Sequence, residues 1–206
     1  MKARLRKDMQ RTLADMPADV AAAKSRAACG KLIALDAFAR AEVVMVYLHV
    51  PDEVDTTEVA LAAWQHDKRV LVPAVDWDTR RMEALELHSL ADEHLDEDAY
   101  GLRTPAGAAP AHAEIIDLVV VPALAYDRRG NRLGRGAGFY DRFLARADVR
   151  AVACGLAFAE QVVESVPVHA SDYPVDILVT DTEVMTFPAR VERAPAEEPQ
   201  PTEQDA

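Results

Sequence analysis

Apolar positions at the start of the chain recur at helical spacing. Leu5, Met9 and Leu13 form one stripe within Lys2–Ala14, which predicts an amphipathic helix. An alanine-rich segment after Pro17 predicts a second, longer helix by the same pattern. Its apolar side is formed by Val20, Ala28, Leu32 and Leu35. Both helices are therefore expected to pack one face against a core.

Short runs of apolar, mainly β-branched residues follow and predict strands. These runs are Val43–Leu48, Val70–Val75, Met82–Leu87, Leu118–Val121, Ala151–Phe158 and Ile177–Thr180. A helix from about Asp55 to Asp67 separates the first two runs, and Asp55 and Glu58 have the spacing of a capping box. Residues 90–95 predict one helical turn. Strands that alternate with helices predict an α/β fold, layered around an open, mainly parallel sheet whose ligands bind beyond the carboxyl ends of the strands.

The segment Val119–Leu144 carries the clearest chemical signal, because it reads as a strand, a loop rich in glycine and arginine, and then a helix. The glycines of the loop are Gly134, Gly136 and Gly138. They allow the backbone to adopt positive φ or to approach a ligand closely. Arg132 and Arg135 place guanidinium groups beside the amide groups of a helix N-terminus, a combination that suits phosphate.

Asp141 follows in the first turn of that helix. Its carboxylate would repel a phosphate unless a divalent cation lay between them, so the loop predicts a metal and nucleotide together. A mobile surface turn is the plain alternative for such a glycine cluster. The P-loop pattern does not fit, because Gly30-Lys31 is followed by Leu32, and the dinucleotide fingerprint would need its third glycine one position after Gly138.

The string Asn131–Asp141 (NRLGRGAGFYD) resembles the signature of the 5-formyltetrahydrofolate cyclo-ligases. Further segments resemble other motifs of that family in the same order, and these are Lys2 with Leu5 and Arg6, Tyr47–Thr56, Gly155–Gln161, Val166-Pro167 and Val175-Asp176. The similarity spans Lys2 to Val184. The chain departs from the family in having Ala137 for glycine or lysine, Phe139 for a common tyrosine, and Thr104 for the glutamate usual before Pro105.

The resemblance implies an open α/β sheet like that of the sugar-phosphate isomerase and CoA-transferase group. It also implies an enzyme that converts 5-formyltetrahydrofolate and ATP into 5,10-methenyltetrahydrofolate, ADP and phosphate, with Mg²⁺ as cofactor. Phosphorylation of the formyl oxygen would make the formyl carbon electrophilic, and phosphate would leave as the neighbouring nitrogen closes the ring. Such a reaction asks the protein for alignment and charge stabilisation rather than for a covalent intermediate.

The resemblance also implies roles for individual residues. The residues expected to bind ATP are Lys2, Arg6, Arg132, Leu133, Gly134, Arg135, Gly136, Ala137, Gly138, Phe139 and Tyr140. Leu48, Glu53 and Tyr140 are expected to bind the folate, with the Glu53 carboxylate accepting hydrogen bonds from the pterin. Arg135 and Tyr140 are the expected catalytic residues. Asp141 and Asp176 are expected to bind Mg²⁺, directly or through its waters.

Composition restricts the partners and the location. The chain has 206 residues, half of them hydrophobic, which fits a single domain over residues 1–192. A net charge of -12 argues against nucleic acid as a partner, so small molecules are expected instead.

Without a signal peptide or a bilayer-length apolar run, the sequence predicts a cytoplasmic protein that does not bind membranes and is a monomer or weak homo-oligomer. Cys29 and Cys154 are expected to be free, buried thiols. Residues 193–206 (RAPAEEPQPTEQDA) are predicted to form a disordered acidic tail.

Two other hypotheses compete with the function that the cyclo-ligase resemblance implies. A sugar-phosphate isomerase of related fold would use a glycine loop and carboxylates but would need no ATP. A folate- or nucleotide-binding protein without activity should have lost the charged site residues, whereas Lys2, Arg6, Arg132, Asp141 and Asp176 are all present.

Overall fold

The computed structural model of the chain describes residues 1–98 and 101–188, so the predicted acidic tail lies outside the described residues. Its helices are α1 (Lys2–Ala14), α2 (Ala18–Ile33), α3 (Asp36–Arg40), α4 (Thr57–Gln65) and α5 (Phe139–Leu144). Its strands begin with β1 (Val43–Met45), β2 (Arg69–Asp76), β3 (Arg81–Glu86), β4 (Leu95–Glu97), β5 (Arg103–Pro105), β6 (Pro110–Ala111) and β7 (Leu118–Val121). They continue with β8 (Ala125–Asp127), β9 (Arg132–Leu133), β10 (Val152–Ala157), β11 (Val162–Val163), β12 (Ile177–Thr180) and β13 (Val184–Thr186).

A large mixed sheet organises the fold, with the strand order β13-β12-β10-β7-β1-β2-β3-β6. The strands from β12 to β2 in this order run parallel, whereas β13, β3 and β6 pair antiparallel. The mixed α/β fold with a mostly parallel sheet agrees with the prediction. The short strands β6 and β13 form the two edges of this sheet among the described residues.

Both faces of the sheet are covered, which explains why its central strands read as continuous apolar runs. Alternate residues of β1 enter opposite cores, with Val44 on one face and Met45 on the other. The Val44 face packs against apolar side chains of α1 to α4, including Leu32 and Phe38. The Met45 face packs against α5 and β8 through residues such as Phe143. The predicted amphipathic helices therefore supply one of the two layers.

Gly155 in β10 allows close packing within the second core. A Cβ atom at this position would lie 2.7 Å from Cε1 of Tyr126 and 3.1 Å from Cδ1 of Leu178. The Tyr126 ring is fully buried, and its hydroxyl donates a hydrogen bond of 2.6 Å to the Val121 carbonyl. The ring therefore occupies the space that a larger residue at position 155 would need.

Several elements differ from the sequence-based expectations. The first strand ends at Met45 rather than at Leu48, because the chain turns into a loop at the end of the sheet. The following helix begins at Thr57, and the expected capping box is not formed, since the Asp55 carboxylate accepts a hydrogen bond from the Thr57 amide instead. The structure adds β13 after the last predicted strand, and two small sheets, β11-β8-β9 and β4-β5.

Two further expectations hold, those for residues 90–95 and for the two cysteines. The helical turn expected in residues 90–95 is a 3-10 turn at Asp92–His94. Cys29 and Cys154 are free and buried, as predicted. Across residues 1–98 and 101–188, no helix is both long enough and apolar enough to cross a membrane.

Candidate functional site

A cleft of about 1730 Å³ opens at the carboxyl ends of the parallel strands β1 and β7. The loop 47–53 after β1 forms one side, and residues 132–142 and 168–173 form the other. Ligands of open α/β sheets bind at this end of the strands. The predicted ATP- and folate-binding residues all line this cleft, and so does Asp141, whereas Asp176 does not.

The glycine loop connects β9 to α5 and needs glycine at two of its positions. Gly136 has a φ of 121° and Gly138 has a φ of 70°, both in the region that side chains disfavour. A Cβ atom at Gly136 would also lie 3.7 Å from the Arg6 guanidinium carbon. Ala137 is not in a positive-φ conformation, so its departure from the family pattern creates no backbone strain. The loop can therefore present its amides to the cleft with alanine at this position.

The start of α1 reaches the same loop. The Arg6 Nε donates a hydrogen bond of 2.9 Å to the Gly134 carbonyl, and Lys2 forms an ion pair of 2.5 Å with Asp172. Met9 and Leu13 anchor the helix in the core, so the cationic end of α1 is fixed over the cleft. The helix face that carries Lys2 and Arg6 thus supplies positive charge beside the glycine loop.

The buried Arg132 side chain connects the glycine loop to α5 and to the 168–173 loop. Its side chain is almost fully buried, and its Nη2 lies 2.7 Å from the Asp141 carboxylate. Its Nε donates to the Tyr173 carbonyl at 3.1 Å, and the Tyr173 amide in turn donates to Asp141 at 3.0 Å. Arg132 therefore clamps α5 to the 168–173 loop, and this network compensates the charge of the Asp141 carboxylate.

The second acidic side chain at this end of the cleft is Asp172, which the sequence analysis missed. Burial raises the pKa of Asp141 above its ordinary value; Arg132 opposes this shift, and the nearby Asp172 carboxylate adds to it. Burial also disfavours ionisation of Asp172, but the Lys2 ammonium and the His169 amide hold its pKa below its ordinary value. Asp141 and Asp172 thus face the cleft as electrostatically coupled carboxylates.

Asp176 lies elsewhere. It directly precedes β12, and its carboxylate accepts a hydrogen bond of 2.8 Å from the Ala153 amide at the amino end of the sheet. The structure therefore does not bring Asp176 into the cleft with Asp141. The reason is topological, because the residue before a parallel strand lies at the edge opposite to the ligand-binding edge. Asp117, which precedes β7, likewise accepts hydrogen bonds from the Glu42 and Val43 amides.

Glu53 lies in the loop after β1, and its side chain is only 14% exposed. One carboxylate oxygen lies 3.3 Å from both Nε and Nη2 of Arg135, and the other accepts a hydrogen bond from the Val50 amide. Arg135 also pairs with the neighbouring Asp52. Burial raises the pKa of Glu53, although the Arg135 charge opposes the shift. The residue expected to bind folate, Glu53, therefore carries a buried carboxylate, and the cation that pairs with it is Arg135 of the glycine loop.

Tyr140 lines the same cleft, and the guanidinium carbon of Arg132 lies 5.9 Å from the centre of its ring. Its hydroxyl is buried and has no hydrogen-bond partner among the described residues. Burial raises the pKa of Tyr140, and the Glu53 charge raises it further. A buried hydroxyl without a partner costs free energy of about 1–3 kcal/mol, so its presence in the cleft favours a ligand contact.

At the opposite rim, the predicted ATP-binding residue Phe139 contacts Trp77, which the sequence analysis did not identify. Trp77, at the β2–β3 hairpin, meets Phe139 edge-to-face with ring centroids 5.0 Å apart. The Arg142 guanidinium lies over the Phe139 ring, 5.6 Å from its centre, and donates to the Ala137 and Arg80 carbonyls at 2.8 and 2.9 Å. The hairpin is thereby tied to the glycine loop. Trp77 lies beyond the carboxyl end of a predicted strand, and that position was the available sequence signal.

The comparisons with known proteins agree with one another. The model of the 5-formyltetrahydrofolate cyclo-ligase family matches residues 1–181. The mouse 5-formyltetrahydrofolate cyclo-ligase is 28% identical over 182 residues, covering 84% of this chain and 89% of the mouse protein. The enzyme of Haemophilus influenzae is 31% identical over 146 residues, covering 68% and 76%. The solution structure of Aquifex aeolicus 5,10-methenyltetrahydrofolate synthetase matches with a TM-score of 0.79 and 30% identity, covering 98% of this chain and 99% of that one.

Proposed function

The chain belongs to the 5-formyltetrahydrofolate cyclo-ligase family, and from this we propose how its cleft carries out the family's reaction. That reaction is the ATP-dependent cyclisation of 5-formyltetrahydrofolate to 5,10-methenyltetrahydrofolate. The observation that supports our assignment of the site is the contact between Arg135 of the glycine loop and Glu53 of the β1 loop. It joins a phosphate-binding element and a folate-binding element across one cleft.

We assign the triphosphate to the half of the cleft formed by the glycine loop and α1. The Gly136 and Gly138 conformations turn the loop around the N-terminus of α5, where amide groups suit phosphate. Lys2 and Arg6 add cationic groups from α1. We assign Arg132 a positioning role beside the expected phosphate contact, because its Nε and Nη2 bind the Tyr173 carbonyl and the Asp141 carboxylate.

We assign the folate to the half lined by Leu48, Glu53 and Tyr140. A carboxylate at Glu53 can accept two hydrogen bonds from the N–H groups of a pterin ring, and Leu48 supplies an apolar contact beside it. We place the Tyr140 hydroxyl, which has no hydrogen-bond partner among the described residues, at the boundary of the folate and phosphate halves, where it can donate to the oxygen that becomes phosphorylated. Arg135 lies at the same boundary and can stabilise the charge that develops on the transferred phosphoryl group.

The donors in the cleft fit Mg²⁺, although no cluster of three or more metal-ligating side chains occurs in residues 1–98 and 101–188. Mg²⁺ is commonly held by one or two carboxylates together with substrate phosphates and water. Asp141 and Asp172 would hold the cation, and Asp176 is at the wrong edge of the sheet. The cation would neutralise charge on the phosphates.

The chemistry then requires two displacements. The formyl oxygen attacks the terminal phosphoryl group of ATP, and ADP leaves. The second folate nitrogen attacks the activated carbon, the carbon–oxygen bond breaks, and phosphate departs with the former formyl oxygen while that nitrogen loses its proton. Because no enzyme nucleophile takes part, the residues named here act by alignment and charge stabilisation.

We also propose the cytoplasmic location and the monomeric or weakly associating state that the sequence predicts.

A direct assay tests this function. Purified protein is expected to produce the absorbance of the methenyl product from 5-formyltetrahydrofolate only when ATP and Mg²⁺ are both present. Tyr140→Phe, which removes one buried oxygen and keeps the ring, should lower kcat more than it lowers the affinity for either substrate. Folded protein that binds both substrates and forms no product would contradict the proposal and favour a binding protein without activity.

A further inference from the structure

Arg135 is shared between two elements that bind different substrates. It belongs to the glycine loop, yet its guanidinium lies against the β1 loop, where it contacts both Asp52 and Glu53. Its side chain is 43% exposed toward the cleft. Arg135 can therefore exchange partners without disturbing a packed core.

The two carboxylates and a nucleotide compete for this cation. Under the proposed function, the terminal phosphate of ATP binds beside the glycine loop and attracts the guanidinium as a bidentate partner. Asp52 and Glu53 would repel that phosphate while they hold Arg135. The nucleotide must therefore draw Arg135 away from the β1 loop or bind without it.

The departure of Arg135 would change Glu53 as a ligand for the folate. Both Glu53 oxygens accept hydrogen bonds within the protein, one from Arg135 and the other from the Val50 amide. Release of the first oxygen makes it available to a pterin donor. It also leaves a buried carboxylate that needs a new hydrogen-bond partner, because burial already disfavours its ionised form. Nucleotide binding thus prepares Glu53 for the folate.

We propose that Asp52 is a positioning residue that keeps Arg135 on the folate side of the cleft, and that transfer of Arg135 to the nucleotide makes the two substrates bind with positive cooperativity. This inference rests on the proposed function, because it requires both substrates to occupy this cleft. Cooperativity of this kind is reciprocal, so the folate must tighten nucleotide binding by the same factor.

Calorimetric titration of the unmodified protein tests the coupling without turnover. 5-Formyltetrahydrofolate is titrated alone, with Mg²⁺ and a non-hydrolysable ATP analogue, and with Mg²⁺ and ADP. We expect the ATP analogue to lower the folate Kd about fivefold or more, the lower end of ordinary couplings, and ADP to have a smaller effect because it lacks the terminal phosphate. Equal folate Kd values in the three titrations, or weaker binding with the ATP analogue, would overturn the inference.

Asp52→Asn tests the role of the positioning carboxylate. The variant keeps the side-chain shape and removes the charge that holds Arg135. We expect it to bind the ATP analogue about threefold more tightly in the absence of folate, the size expected for a partly exposed ion pair, and to show a smaller coupling. Glu86→Gln breaks a comparable pair with Arg69 away from the cleft and should change neither quantity.

The results separate this inference from the proposed function. If the methenyl product forms but Asp52→Asn weakens nucleotide binding or leaves the coupling unchanged, the positioning role of Asp52 is wrong and the proposed function stands. If neither 5-formyltetrahydrofolate nor the ATP analogue binds to folded protein, both proposals are wrong.

Discussion

Asp172 and Asp176 lie on one short stretch of chain but meet different neighbours. Asp172 lines the cleft and pairs with Lys2, whereas Asp176 caps the Ala153 amide at the far edge of the sheet. Asparagine at either position keeps the shape and loses the charge. We expect Asp172→Asn to raise the KM for ATP tenfold or more at limiting Mg²⁺, a change of about 1.4 kcal/mol in binding free energy. Asp176→Asn should leave that KM within twofold of the unmodified protein.

The measurement is the KM for ATP in the methenyl assay across a Mg²⁺ series. A loss that appears in Asp176→Asn and not in Asp172→Asn would return the metal role to Asp176.

Glu53 predicts a pH dependence of stability. Burial raises its pKa in the folded protein, so the folded state keeps a proton that the unfolded state has already lost. Glu53 therefore lowers the free energy of unfolding as pH rises from its unfolded pKa of about 4.3 through its folded pKa. Glu53→Gln does not titrate, so its stability relative to the unmodified protein should increase over that range and then become constant.

Denaturant unfolding at a series of pH values from acid to neutral checks this expectation. Glu86→Gln provides the opposite control, because the hydrogen bonds from Arg69 lower the pKa of Glu86 and that variant should lose relative stability as pH rises. Parallel behaviour of the two variants would contradict the stated cause.

Strand β10 and helix α2 each contain a glycine, and the two have opposite packing environments. A methyl group at Gly155 would meet the buried Tyr126 ring, whereas nothing lies within 4 Å of the corresponding position at Gly30. We expect Gly155→Ala to lower the free energy of unfolding by about 1–3 kcal/mol through overpacking. Gly30→Ala should raise it by about 0.5–1 kcal/mol, because alanine restricts the unfolded chain and favours the helix.

Equilibrium denaturant unfolding of the two variants measures both effects. If Gly155→Ala is as stable as the unmodified protein, the Tyr126 ring moves more freely than its burial indicates.

The element scale also shows what the sequence could and could not predict. The parallel strands at the centre of the sheet were predictable because burial on both faces produces continuous apolar runs such as Leu118–Val121. The antiparallel direction of β3 could also be predicted from the sequence, because the four residues between β2 and β3 are too few for a parallel crossover connection. Strands β8, β9 and β11, at two or three residues each, are too short to show a period.

At the site, the glycine loop, α1 and the β1 loop were placed by motif, and the structure brings them together in one cleft. The contacts between them were not predictable, since no spacing along the chain indicates that Arg135 meets Asp52. Asp176 was expected beside Asp141 but does not line the cleft, and the sequence contained the reason. A residue directly before a parallel strand lies at the edge opposite to the ligands.

On the scale of the whole molecule, the cleft joins segments that are far apart in the chain, from α1 to the 168–173 loop. A nucleotide that contacts all of them stabilises the folded state as a unit. At a concentration 100 times its Kd, the non-hydrolysable ATP analogue should add about 2.7 kcal/mol, which for a chain of this size raises Tm by roughly 5–11 °C. The measurement is a thermal melt with Mg²⁺ present, and omission of Mg²⁺ should reduce the shift. An unchanged Tm at that saturation would contradict binding in this cleft.

The short edge strands of the large sheet affect where the protein can aggregate, before and after it unfolds. Strands β6 and β13 have two and three residues, and Pro110 in β6 has no amide hydrogen to offer, so the native fold gives a neighbouring molecule little backbone to pair with. The apolar strands between them gain no such protection once the sheet opens, and segments of this kind aggregate readily. We therefore expect heating to end in precipitation rather than refolding, so that shelf life is governed by the rate of unfolding.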